Sequence, residues 1–180
     1  MRLSWLGDKA LGYRSSLQRG VAQTGSRALT VERTDDPDHE ASGAARSPVR
    51  WTGTFPPEAA AVGRCRLAVE EILTGAGVDP GLVGDALVVL GEIAANSVRH
   101  AGTAFTVSVA TEGASVHLDV FDGDPRPPAM RGLDPGSMGG RGLHIVAGMA
   151  ADWGWRPAEE NGVSGKRVWA EVGGAGGFRR

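Results

Sequence analysis

The chain has 180 residues, 41% of them hydrophobic, and a formal net charge of -2. That supports one cored domain with a tail, and the near-balanced charge argues against a dedicated nucleic-acid binder. The single cysteine, Cys65, excludes an internal disulfide framework and a cysteine-rich metal site.

Residues 1–47 read as a weakly structured tail. Residues 32–40 are polar and charged and show no apolar periodicity. No stretch near the start is apolar enough for a signal peptide or a membrane span, so a soluble, cytoplasmic protein is expected.

The domain is expected over residues 48–173, with 174–180 as a loose end. Residues 49–55 alternate like a strand, and Pro56-Pro57 stops it. A helix opens at Pro57 or Glu58 and carries Val62, Cys65, Val69, Ile72 and Leu73 as its apolar stripe. Gly75 and Gly77 end it, and Cys65 reads as a core thiol. Asp79 is a plausible N-cap and Pro80 the first residue of a second helix, which runs to about Arg99.

The last turns of that second helix hold Glu92 and Asn96, four apart and therefore on one face. Their neighbours are mostly small or aliphatic. A carboxylate and a carboxamide in such a setting need polar partners or a polar ligand. Magnesium takes oxygen ligands and keeps waters and phosphate oxygens, so the Asn96 carboxamide could complete its shell. Glu92 could orient or deprotonate an attacking hydroxyl. An ordinary Glu–Asn bridge between helices fits the same spacing.

Beyond Gly102 the period changes to alternation. Residues 105–110 and 115–122 read as two strands of a hairpin around Glu112-Gly113. The second strand ends on Asp122, followed by Gly123. A carboxylate there can accept from an exocyclic amine such as that of adenine, and an Asp there can also simply start a turn. A long Gly- and Pro-rich loop follows, of a length typical of lids and binding loops. It closes with Gly139-Gly140-Arg141-Gly142-Leu143 leading into a helix with Leu143, Val146, Ala147 and Ala150 on one face. Amides at a helix N-terminus attract anions, glycines permit close approach, and Arg141 adds charge-assisted hydrogen bonds. A plain glycine hinge is the other reading. Residues 152–156 and about 166–172 are strands on either side of a polar turn, 159–162.

This order predicts an α+β two-layer sandwich, a mixed and mostly antiparallel sheet covered on one face by helices. There is no Walker-type loop ending in Gly-Lys-Ser or Gly-Lys-Thr.

Taken together, the motifs resemble those of the Bergerat-fold, histidine-kinase-like ATPase superfamily, and within it the small anti-sigma-factor serine/threonine kinases of actinobacterial type. Glu92-x-x-x-Asn96-x-x-x-His100-Ala101 is similar to the superfamily's N box, Val120-Phe121-Asp122 to its adenine-reading box, and Gly140-Arg141-Gly142-Leu143 to its second glycine box. Asp152-Trp153-Gly154, Gly165-Lys166 and Val168-Trp169 resemble the ending of that branch. The resemblance implies ATP and magnesium as cofactors, with Asn96 on magnesium, Glu92 as general base and Asp122 on the adenine amine. Gly139, Gly140, Arg141, Gly142 and Leu143 would wrap the phosphates under the long loop as a lid. Arg99 and His100 would sit near the phosphates or support the helix end. It implies an anti-anti-sigma protein as substrate and a sigma factor as a further partner, with no nucleic acid and no membrane. Such small kinases often form homodimers. The only His upstream of the domain, His39, lies in a non-periodic charged segment, which argues against autophosphorylation on histidine. Two positions depart from the superfamily pattern. Asp124 stands where a Gly is usual, and Arg167 is read as replacing a Thr near the adenine, which motivates the alternative of a non-catalytic ATP-binding module that sequesters a partner. Lys166 reads as a solvated strand residue.

Overall fold

The computed structural model describes residues 48–130 and 141–174. Residues 1–47, where a tail is expected, residues 175–180, Gly139, Gly140 and most of the expected lid lie outside them.

Strand β1 (Arg50–Phe55) leads to helices α1 (Ala59–Gly75) and α2 (Pro80–His100), then strands β2 (Phe105–Glu112) and β3 (Ser115–Asp122). Helix α3 (Gly142–Met149) and strands β4 (Asp152–Glu160) and β5 (Val163–Gly173) complete the fold. Asp79 caps α2 as its sequence suggests: its Oδ1 accepts from the Gly81 and Leu82 amides at 2.9 and 3.2 Å. Gly77, at φ 70°, turns the chain after α1 while the Val78 amide reaches back to the Leu73 carbonyl.

The five strands form one sheet in the order β1-β2-β3-β5-β4. The sequence suggests a mixed, mostly antiparallel sheet, and all four pairings prove antiparallel. The reason is topological. The connection through α3 sets β4 parallel to β3, but β5 returns between them, so no parallel neighbours meet. That places β4 at the sheet edge, where it runs on to Glu160 instead of stopping before Pro157. A proline costs an edge strand no ladder bond on its open side.

The inward positions alternate as they should: Phe105, Val107 and Val109 on β2, Val116, Leu118 and Val120 on β3, and Val168, Ala170 and Val172 on β5 are all buried. In the same core cluster lie Val69 and Leu73 of α1, Leu90 and Ile93 of α2, and Val146 of α3. Ala147, expected on the buried face of α3, is exposed. Helix α2 is long and apolar enough to cross a membrane by length and composition. Here it is the central core helix, with eight buried residues packed between the sheet and the other two helices.

The opposite sheet face is polar. Thr52 pairs with Ser108, and Thr54 with Thr106, through side-chain hydroxyls. Farther across, Arg167 ion-pairs with Asp119 and Glu160 and stacks its guanidinium over Phe121. Burial holds the Asp119 carboxyl above the usual carboxylate range, and the nearby Arg167 and Arg156 guanidiniums offset that rise only in part.

Cys65 is fully buried on the inner face of α1, and burial pushes its thiol up to about 12. We expect no reaction with a neutral-pH thiol reagent in the folded chain and stoichiometric labelling after denaturant is added. Rapid labelling in native buffer would contradict this packing of α1.

Candidate functional site

A cleft of about 340 Å³ opens where the C-terminal half of α2, the end of β3, the start of α3 and β5 converge. That volume falls within the range of small-molecule sites. Ile93, Leu143 and Val168, each at most 4% exposed, supply apolar lining. The polar lining includes Asn96, Ser97, Arg99, His100, Asp122, Asp124, Arg126 and Lys166.

Asp122 is 1% exposed and lies at the deep end. Its Oδ1 accepts from the Asp124 amide at 3.1 Å, and Asp124 Oδ1 in turn accepts from the Arg126 amide at 3.1 Å. These are two successive turns closed by Asp side chains, a use of Asp that needs no glycine at 124. The Arg126 guanidinium also hydrogen-bonds both Asp124 oxygens and holds that carboxyl down to about 2. The Thr103 hydroxyl accepts from the Gly123 amide at 3.0 Å, tying the loop after α2 to this turn.

The main correction concerns β5. Lys166 is not solvated: it is 6% exposed, and its Nζ donates to Asp122 Oδ1 at 2.8 Å and to the Asp124 carbonyl at 2.9 Å. Arg167, read from sequence as the residue near the base, pairs with Phe121 on the opposite sheet face. Adjacent strand residues point to opposite faces, so a one-residue displacement exchanges cleft for outer surface. The signal was in the sequence. Counting back by twos from Val172, Ala170 and Val168 puts Lys166 inward. Gly165, which the sequence marks only as part of the family-like ending, is a close-packing position. A Cβ there would lie 1.9 Å from the Asp122 carbonyl oxygen, so only glycine lets β5 close on the end of β3.

Asn96 lines the cleft, and its Oδ1 accepts from Arg99 at 3.1 Å. Glu92 is not among the lining residues. It stands one turn back, against the first residue of α3: a Cβ on Gly142 would come within 2.6 Å of Glu92 Oε2 and 3.6 Å of Asn96 Nδ2. Gly142 and Leu143 line the cleft, while Arg141 is exposed just before the helix. His100 and Arg99, at the end of α2, also line the cleft.

No group of three or more His, Cys, Asp or Glu side chains that could hold a metal occurs among the described residues. A magnesium ion fits here only as part of a larger ligand, with the Asn96 carboxamide oxygen as one donor and phosphate oxygens and waters as the others. The donor chemistry of Asn96 agrees with that role, since among the described residues its oxygen engages an exposed arginine at the cleft edge.

Comparison with known proteins gives a match between residues 55–170 and the profile of the histidine kinase-like ATPase domain. No curated protein matches the chain. Among solved structures, the RsbU and RsbW domains of Rv1364c from Mycobacterium tuberculosis are similar at 18% identity with a TM-score of 0.48. That match covers 68% of this chain and 31% of the other, so the chain spans under a third of that larger protein.

The fit of Gly165 under Asp122 can be tested by Gly165→Ala. Overpacking backbone against backbone should cost about 3 kcal/mol or more, read as a lowered denaturant midpoint. A loss below about 0.5 kcal/mol would mean that β5 does not approach β3 this closely.

Proposed function

The chain belongs to the histidine kinase-like ATPase family, and on that premise we propose that it is an ATP-binding regulatory protein of anti-sigma-factor type, a serine/threonine kinase acting on an anti-anti-sigma partner. The observation that carries the reading is the convergence of Asn96, Asp122, Gly142 and Leu143, from three separate elements, on one cleft.

In this reading the adenine amine donates to Asp122, and the base rests on the apolar lining of Ile93, Leu143 and Val168. The phosphates lie toward the start of α3, held by the backbone of Gly139, Gly140, Gly142 and Leu143 and by Arg141. Asn96 contributes an oxygen to magnesium, and Arg99 exchanges its contact with Asn96 for the phosphates. Bound magnesium would neutralise the charge that builds on the phosphate oxygens. Glu92 takes the proton of the incoming serine hydroxyl as its oxygen bonds to the γ-phosphorus. The bond between that phosphorus and the bridging oxygen breaks, and ADP leaves. A sigma factor as second partner, a cytoplasmic location and a dimeric state belong to the same reading and rest on the sequence resemblance.

One observation favours a second reading, a module that binds ATP and sequesters its partner without turnover. Glu92 packs against Gly142 rather than lining the cleft. A transfer assay separates the two. With γ-labelled ATP and an anti-anti-sigma protein, the kinase reading expects label on serine and a loss of about a hundredfold or more in Glu92→Gln. Label transfer that Glu92→Gln leaves unchanged would remove Glu92 as base. Binding of ATP and partner with no transfer at all would establish the sequestering module.

A further inference from the structure

No other lysine or arginine among the described residues is buried as Lys166 is, and the reading above gives it no task. Its ammonium has three N–H groups. Two are committed, to Asp122 Oδ1 at 2.8 Å and to the Asp124 carbonyl at 2.9 Å. Asp124 Oδ2, at 3.7 Å, is too far for a hydrogen bond. The third N–H has no hydrogen-bond acceptor among the described residues, and Lys166 lines the cleft. Asp122 is arranged in a complementary way: both its hydrogen bonds fall on Oδ1, from Lys166 and from the Asp124 amide. A carboxylate oxygen and an ammonium proton are thus held side by side, both nearly sealed from water and both fixed by backbone turns.

We propose that Lys166 is a second base-reading residue, donating its third N–H to the ring nitrogen adjacent to the purine amine that Asp122 accepts. The inference rests on the nucleotide reading of the cleft and adds the determinant of base identity. An acceptor beside a donor is the edge that a pyrimidine presents to adenine. Adenine offers an amine and a bare ring nitrogen in matching order. Guanine offers a carbonyl and an N–H at those places, so acceptor would face acceptor and donor would face donor. The pair therefore selects adenine both by attraction and by repulsion of guanine. A charged donor in a site shielded from water also makes this contact stronger than a neutral one.

The test measures nucleotide affinities of the full chain by calorimetry or competition. The probes are ATP, 1-deaza-ATP, 7-deaza-ATP and GTP. The 1-deaza compound keeps the amine and replaces the adjacent ring nitrogen with C–H. The 7-deaza compound is altered on the other edge and serves as control. The expected result is that 1-deaza-ATP binds about tenfold to a hundredfold more weakly than ATP, 7-deaza-ATP binds like ATP, and GTP is weaker still. In Lys166→Met the difference between ATP and 1-deaza-ATP should vanish. Equal affinity of the unmodified chain for ATP and 1-deaza-ATP would overturn the proposal, as would a folded Lys166→Met chain that keeps the discrimination. If that variant does not fold, the comparison in the unmodified chain decides alone. Failure of ATP itself to bind would overturn the nucleotide reading of the cleft, and this inference with it.

Discussion

An ammonium and a carboxylate, both nearly sealed from solvent, meet at 2.8 Å where β3 and β5 end their pairing. Each alone in that position would be costly, because the interior cannot replace the water either has lost. Paired, they come closer to breaking even, and a buried ion pair is often no better for stability than apolar residues of the same volume. Its presence is better understood through what it offers a ligand. Much of the local geometry serves it: the glycine at 165 that lets β5 close in, and the turns through Asp124 and Arg126 that add a carbonyl and an amide.

The rest of the fold places the other functional groups around that pair. Helix α2 spends most of its length as core, with Leu90 and Ile93 locked against the sheet, so its last turns are held rigidly. Asn96 therefore arrives at the cleft with little freedom in where its backbone lies. Helix α3 packs on α2 at Gly142, where a Cβ would meet the carboxylate end of Glu92 and displace it. The site is built from one deep polar end, an apolar middle and a helix start, which is a layout suited to a base, a sugar and phosphates.

Much of this was legible from sequence because periodicity reports burial directly. The apolar stripe of α1, the cap at Asp79 and the alternation of β2 and β3 all follow from it, as does the helical layer on one sheet face. Asp122 and Asn96 were legible as polar groups at the ends of core elements, and both line the cleft. Three features escaped for definite physical reasons. The antiparallel pairing of every neighbour depends on β5 inserting between β3 and β4, a long-range choice that local pattern does not encode. The extension of β4 past Pro157 depends on its being an edge strand. Lys166 and Arg167 exchanged roles because composition alone treats both as surface cations, whereas the strand's alternation, counted from Val168, separates them.

The central claim is that this cleft holds ATP, with Asp122 on the base and Asn96 on a phosphate-bound magnesium. Calorimetric titration with ATP, with and without magnesium, tests it most directly in the unmodified chain, Asp122→Ala and Asn96→Ala. The account predicts saturable binding that magnesium strengthens. Asp122→Ala should weaken it at least about thirtyfold with or without the metal, while Asn96→Ala should mainly abolish the gain from magnesium. Absence of binding to the unmodified chain, or binding indifferent to both substitutions, would contradict it.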